Sequence, residues 1–424
     1  MKIRNILMAS LALLTFASCS KDDGNEPEKP KEPVDAVFSI QLSDLATKAI
    51  GGVDDGINEG TINEKYIKTL NTYVFKQGTS SETSTIVAYK RSEAKGADGE
   101  NGIRQVEDII VKVVPNSDYT TSADQFIMVM VANIDDKSFN TLEDLEKATL
   151  KDDITLFNGE KFVSLPMVSE TIKFGNLYPS KKAEDGTWTP VKNWVRSDGT
   201  VYKTEVEGPD EIKLIKLKRL VARVQIDKII INMSDRYPGA SFRLLNMSLA
   251  NVRAETTMQV GQGAYLKGYQ SPNFDEVTGK GIIIPDNGSN VKACFTKEFT
   301  DPTYYSKKEL FDEENTALEG KTFSRYVFTN IKSGDTGYDT GILLSGYFKA
   351  SNKVENEGEL RHFWISLNKG GEVKVLPNTI YRLLVTINGE GSKNEDNPEL
   401  TAGVTADITV ADWVVKDQIE DDNN

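Results

Sequence analysis

The stretch VDAVFSIQLSDLATKAIGG, residues 34–52, decides how the rest of the chain is read. Val34, Ala36, Phe38, Ile40 and Leu42 fall on one parity, and Asp35, Ser39, Gln41 and Ser43 on the other, with Val37 the exception. That alternation is the period of a strand with one buried face. A loop follows at once, with a basic residue ahead of small ones: Lys48-Ala49, then Gly51-Gly52. Taken alone, the stretch reads as a first strand and a surface loop. A core strand joined directly to a protease-accessible loop also fits a strand that is later cut away, and the flanking sequence favours this second reading.

Upstream, Lys2 and Arg4 precede an apolar run, Ile6 to Phe16, that is too short for a permanent membrane helix. Phe16-Ala17-Ser18-Cys19 then supplies a small-residue cleavage site, so residues 1–18 read as a signal peptide. The same four residues resemble a bacterial lipobox, in which cleavage precedes a cysteine that is then acylated, here Cys19. Asp22-Asp23 just beyond it resembles the surface-export signal of Bacteroidetes lipoproteins. Residues 19–33 are rich in Pro, Glu and Lys and too poor in apolar groups to fold, as expected of an acidic tether lifting the protein off the membrane.

The chain has 424 residues, a length that favours two domains over one core. Its composition, 38% hydrophobic and 27% charged, is that of a soluble globular protein. The formal charge of −14 disfavours nucleic acid as a partner, because phosphate binding needs a basic face. Removing the signal peptide takes away Lys2 and Arg4 and no acid, so the exported chain is more acidic still. With Cys19 in the targeting segment, the folded part keeps one thiol, Cys294, and forms no internal disulfide. One histidine, His362, excludes metal sites built on two.

Beyond the tether most periodicity is of the strand type. It runs through Ile67–Phe75, Ile86–Lys90, Val106–Val114, Phe126–Ile134, Phe242–Ala250, Ser324–Ile331, Gly341–Ala350, Arg361–Leu367, Ile380–Ile387 and Val404–Val415. Ile212–Ile231 reads as one long strand. Helical signals are few: Thr141–Thr149 with an N-cap and early acids, and Ser306-Lys307-Lys308-Glu309, which matches a capping box. Spaced strands with turns between them predict an all-β chain of β-sandwiches with a few short helices. Gly208-Pro209-Asp210 marks a turn, and the chain divides near there. The expected organisation is a removable strand and loop at 34–48, an N-terminal sandwich at 49–215, a C-terminal sandwich at 216–400, and a final strand and tail at 401–424.

Leu217–Val224 resembles the L-x-R-x-V-A-R motif of the FimA/Mfa1-like fimbrillins, the major subunits of the type V pili of Bacteroidales. Ile67–Phe75, Pro377–Ile387 with Gly389 and Gly391, and the ending Asp407–Trp413 resemble other parts of that family in the same order. The resemblance implies two tandem transthyretin-like β-sandwiches and export as an outer-membrane lipoprotein. It also implies cleavage after the first strand by an Arg- or Lys-specific surface protease, and polymerisation by strand exchange into a cell-surface fimbrium that supports adhesion. Its implied partners are copies of the chain head to tail, accessory pilus subunits and a surface receptor, with the membrane reached only through the lipid on Cys19. Regions 135–210 and 255–325 carry no family signature.

No constellation for chemistry stands out, so no enzymatic activity, cofactor, catalytic residue or metal site is expected. Cys294 and His362 could pair as nucleophile and base, but both lie in strand-like runs and read as structural. Gly320-Lys321-Thr322 lacks the first glycine of a P-loop, since Asn315 stands there. The many carboxylates carry no signal in an acidic chain. Trp188, Trp194 and Tyr202 lie beside hairpin turns, where a sugar platform competes with ordinary cross-strand aromatic pairing.

The cleavage expected lies between Lys48 and Ala49, the more exposed of the basic sites before the next strand. Its loss would empty a groove lined for Ala36, Phe38, Ile40 and Leu42. Val404, Ala406, Ile408 and Val410 alternate in the same way near the other end, and Trp413 follows on the opposite parity. The segment is either the donor that fills the next subunit's groove or the last strand of its own domain; the expectation is a mixed version in which residues 401–420 supply the donor. The competing function is a monomeric, surface-anchored glycan-binding lipoprotein, or an anchor or tip subunit of the same pilus.

Overall fold

A computed structural model describes residues 32–43, 66–94, 102–116, 121–151, 164–179, 181–182, 188–189, 191–203, 214–253, 255–258, 295–310, 323–331, 340–351, 356–367, 374–395 and 403–412. Cys19, Lys48, Ala49, Cys294 and Trp413 fall outside these residues. The fold is all-β, with one α-helix among the described residues, Leu142–Lys147.

Four sheets carry most of the structure. In the N-terminal half a four-stranded sheet runs, edge to edge, Val201–Lys203, Lys192–Val195, Val34–Gln41 and Gln105–Val113. It faces a six-stranded sheet in the order Leu217–Arg219, Met167–Ser169, Gln125–Ala132, Thr69–Lys76 and Thr85–Glu93, with Ile172–Gly175 also paired to Gln125–Ala132. Rings close the sandwich: Phe38 of the first sheet lies 5.2 Å from Phe174 of the second, and Phe174 lies 5.6 Å from Phe126. The alternation seen in the sequence is the alternation of this core, because side chains on a strand point to opposite faces in turn.

In the C-terminal half Val221–Asn232 is central. Phe323–Phe328 and Lys307–Leu310 pair antiparallel, end to end, along one of its edges. Thr379–Ile387 pairs parallel along the other, and Val404–Asp412 closes that side, antiparallel to Thr379–Ile387. The second sheet runs Thr296–Glu298, Ser241–Ala250, Gly341–Lys349 and Glu359–Ser366. Both halves thus place their earliest strand between one antiparallel and one parallel neighbour.

Two expectations about local structure change. The capping-box signal at Ser306–Glu309 does not start a helix. Lys307–Leu310 is a strand, registered on Ile229–Asn232, with Lys228 and Glu309 forming an ion pair across the sheet. The ladder hydrogen bonds and that pair outweigh a weak local helix preference, as sheet context often does. The long strand over Ile212–Ile231 is broken at Leu220. Leu217–Arg219 pairs with Met167–Ser169 in the first sandwich, and Val221–Asn232 opens the second. Arg219 is almost fully buried at that crossing, and its guanidinium donates to Asn378 Oδ1 at 3.2 Å. The predicted helix at Thr141 does form, capped as its sequence asks: Thr141 Oγ1 accepts from the Asp144 N–H, and the Asp144 carboxylate accepts from the Thr141 N–H.

The outer face of the six-stranded sheet is covered as well. Leu142 and Leu145 of the helix, Leu220 and Met258 pack with Tyr73, Phe75, Ile127 and Val129 in a second apolar cluster. Burial there pushes the Tyr73 phenol up to about 12. Glu255–Thr257 pairs with Thr149–Lys151, which joins a segment of the second half to the first.

Candidate functional site: the seat of the first strand

Val34–Gln41 lies in the interior of its sheet, bonded along both edges. Gln105–Val113 pairs antiparallel, from Val34 opposite Val113 to Gln41 opposite Gln105. Lys192–Val195 pairs parallel, with Val37 opposite Lys192 and Ile40 opposite Val195. The register slips between Phe38 and Ile40, where Asp108 takes φ 53°, so the extra residue belongs to the neighbour and the first strand itself stays regular.

Ala36, Phe38 and Ile40 are fully buried and Leu42 nearly so. These are the four residues singled out from the sequence, and the structure brings them to one core. Burial of the three larger ones contributes roughly 1.5–3 kcal/mol each. Beyond Gln41 the chain stays fastened: the Leu42 N–H donates to Arg104 O at 2.7 Å, and the Ser43 N–H donates to Ile215 O at 3.0 Å. On the outer face Asp35 pairs with Lys112 at 2.6 Å. That pair is half-exposed and contributes little to stability.

Asn193 is the polar residue that sequence reasoning missed. It is fully buried beside the first strand. Its Nδ2 donates to the carbonyls of Val37 at 2.8 Å, Tyr178 at 2.9 Å and Val191 at 3.0 Å, and its Oδ1 accepts from the Tyr178 N–H at 2.9 Å. In Lys192-Asn193-Trp194-Val195 no periodicity sets it apart from a surface asparagine. We expect Asn193→Ala to lower the stability of the uncut chain by about 1–3 kcal/mol, because buried carbonyls lose their donor. A urea midpoint within error of the parent would contradict this.

Val404–Asp412 has a different attachment. Its nine residues are registered on Thr379–Ile387, from Val404 opposite Ile387 to Asp412 opposite Thr379, and it ends the sheet order. Of its described side chains Ile408 is buried, Val404 and Ala406 are partly buried against the core, and Thr405, Asp407 and Thr409 are exposed. Within the single chain this strand is thus seated in its own domain. Val410 is placed in the strand opposite Tyr381. Burial raises the Tyr381 phenol, whose oxygen accepts from the Leu376 N–H at 2.9 Å. The strand is entered from Gly403, φ +82°, whose backbone touches Gly389 so closely that an added Cβ would lie 2.3 Å from the Gly389 Cα. Only glycine meets both demands there.

Residues weighed for chemistry are structural where they are described. His362 is buried, with Nδ1 2.9 Å from Ser345 Oγ, and its backbone bridges Ser392. Trp194 and Tyr202 are cross-strand partners. Arg196 and Lys203 lie over the Tyr202 and Tyr178 rings at 4.7 and 4.1 Å. Among the described residues no three His, Cys, Asp or Glu side chains gather as metal ligands, and no helix is long and apolar enough to cross a membrane.

No protein-family model matches the chain. It is 24% identical over 399 residues to a Parabacteroides distasonis protein assigned as the fimbrium tip subunit Fim1C, across 92% of this chain and 88% of the relative. It is 22% identical over 435 residues to a major fimbrium subunit, FimA type-2, of Porphyromonas gingivalis, across 97% of this chain and 98% of the relative. Its fold matches the crystal structure of a fimbrilin from Porphyromonas gingivalis W83 with a TM-score of 0.56 at 14% identity, covering 91% of this chain and 99% of that one. The chain is thus similar to fimbrium subunits over nearly their whole length, and it shares its fold with a fimbrilin.

Proposed function

We propose that this chain is a structural subunit of a cell-surface fimbrium, made as an outer-membrane lipoprotein and activated by removal of its first strand. The observation that carries the reading is the seat itself: a regular strand, buried from Ala36 to Ile40 and bonded on both edges, with Lys48-Ala49 following in the sequence. Removing residues 19–48 leaves a groove lined for alternate apolar side chains with unpaired backbone on both flanks. Such an opening seeks another strand. The strand on hand is Val404–Asp412, the last among the described residues, which among them lies at a sheet edge with a single paired neighbour. Insertion into the next subunit is β-augmentation, and because it is head-to-tail it grows without closing. No catalytic step by this chain is part of the reading, and receptor binding for adhesion falls to the assembled surface.

The precursor would carry its lipid on Cys19 and lose it with the first strand. The test is direct: fatty-acid labelling of the precursor, and N-terminal sequencing of fimbriae sheared from cells. The expected results are label that disappears in Cys19→Ala and a mature chain beginning at Ala49. A polymer whose subunits still begin at Cys19 would move the protein to an anchor or a monomeric glycan binder. A tip role is the second reading, favoured by the similarity to the Parabacteroides distasonis tip subunit. It calls for the last strand to stay on its own sheet.

A further inference from the structure

The inward side chains of the first strand recur near the other end of the chain. Val34-Asp35-Ala36-Val37-Phe38-Ser39-Ile40 and Val404-Thr405-Ala406-Asp407-Ile408-Thr409-Val410 carry Val, Ala, Phe, Ile and Val, Ala, Ile, Val at alternate positions, with Ser39 matched by Thr409. We propose that the last strand of one subunit enters the emptied seat of the next in one direction and one register: Val404 at the place of Val34, Ala406 at that of Ala36, Ile408 at that of Phe38 and Val410 at that of Ile40. This rests on the donor-strand reading above and adds its geometry.

The core of the seat excludes the alternatives. An odd shift turns Thr405, Asp407 and Thr409 inward. A shift of two residues toward the loop puts Val404 where Ala36 is fully buried and Ala406 where Phe38 meets Phe174. One place is then overfilled and the other left hollow, and packed cores resist both. A shift of two the other way puts Ile408 at the place of Ala36 and the Asp412 carboxylate at that of Ile40, a fully buried position. A reversed strand spanning the same places again sets Ile408 against the Ala36 place and Ala406 against the Phe38 place. Of these placements, the proposed register alone puts alanine where alanine was.

Charge on the outer face agrees. The first strand leaves with Asp35, the carboxylate that pairs with Lys112. In the proposed register Asp407 takes the place of Val37, which is 8% exposed and lies directly opposite Lys192, one step along the sheet from Lys112. In its own domain Asp407 lies opposite Leu384, a partly exposed apolar residue. Transfer therefore carries Asp407 from an apolar neighbour to two cationic ones.

The opposite flank gives the test. Ile110 is 54% exposed and lies directly opposite Val37. In full-length chains carrying Cys294→Ser, Ile110→Cys is combined with Thr405→Cys, Asp407→Cys or Thr409→Cys, all exposed positions. After protease treatment and assembly, oxidised samples are run on non-reducing gels. The expected result is a covalent ladder strongest for the pair of Ile110→Cys with Asp407→Cys, several-fold above the other two. A ladder strongest for Thr405→Cys or Thr409→Cys overturns the register and leaves strand donation standing. Fibres that form with no ladder from any pair overturn both.

Discussion

Phe38→Ala should lower the unfolding free energy of the uncut chain by about 3–5 kcal/mol, the usual cost of emptying a buried phenylalanine site. Phe38 is fully buried, and its ring meets that of Phe174. No collapse can refill the site cheaply, because the strand is pinned on both edges. Urea unfolding of the uncut chain measures the loss, and a loss under about 1 kcal/mol would contradict the packing described. If the proposed cleavage removes Phe38 with residues 19–48, the same substitution should leave finished fibres as stable as those of the parent. A fibre weakened by Phe38→Ala would mean that the first strand is retained.

The second large effect concerns the other end. Deleting residues 401–424 should give a chain that folds, is exported and is cut, yet does not extend into fibres. The rest of its sheet stays in place, because Thr379–Ile387 keeps its parallel partner Val221–Asn232. The deletion exposes one edge and the seat of Ile408, so a modest stability loss is expected, about 1.5–3 kcal/mol from that side chain. Ile408→Asp is the companion variant: it preserves the chain length and places a carboxylate where the core is apolar, and it too should stop extension. Electron microscopy reads both. Fibres of ordinary length from the deletion would remove the donor role from this segment.

How legible these features were in the sequence differs from strand to strand. The first strand and its four inward residues could be read because one face is apolar and the other, Val37 apart, is polar, so a period of two shows even though Val37 and Ser39 are buried as well. Gln105–Val113 was legible for the same reason. Lys192–Val195 was not: it is a short strand with Asn193 turned into the core and Trp194 on the other side, so its pattern runs against the rule that polar residues face out. Yet it forms the parallel flank of the seat. The break at Leu220 was hidden because Leu217 and Val221 are both buried, and nothing in the side-chain pattern records that the backbone changes sheets between them. The segment at Ser306 carried a true local signal for a helix start that the neighbouring strand overrode. Family resemblance, resting on the order of short motifs, reached further than any of these local patterns.

The two flanks of the first strand also bear on mechanics. A strand held at a single edge and pulled from one end opens bond by bond, as a zipper does, at low force. A strand seated between two edges and pulled along its own axis is loaded in shear, so the ladder bonds on both sides resist together. The seat described here is of the second kind, and the home of Val404–Asp412 is of the first. Moving the last strand from one to the other would turn a joint that peels into one that holds under the drag of flow along the fibre.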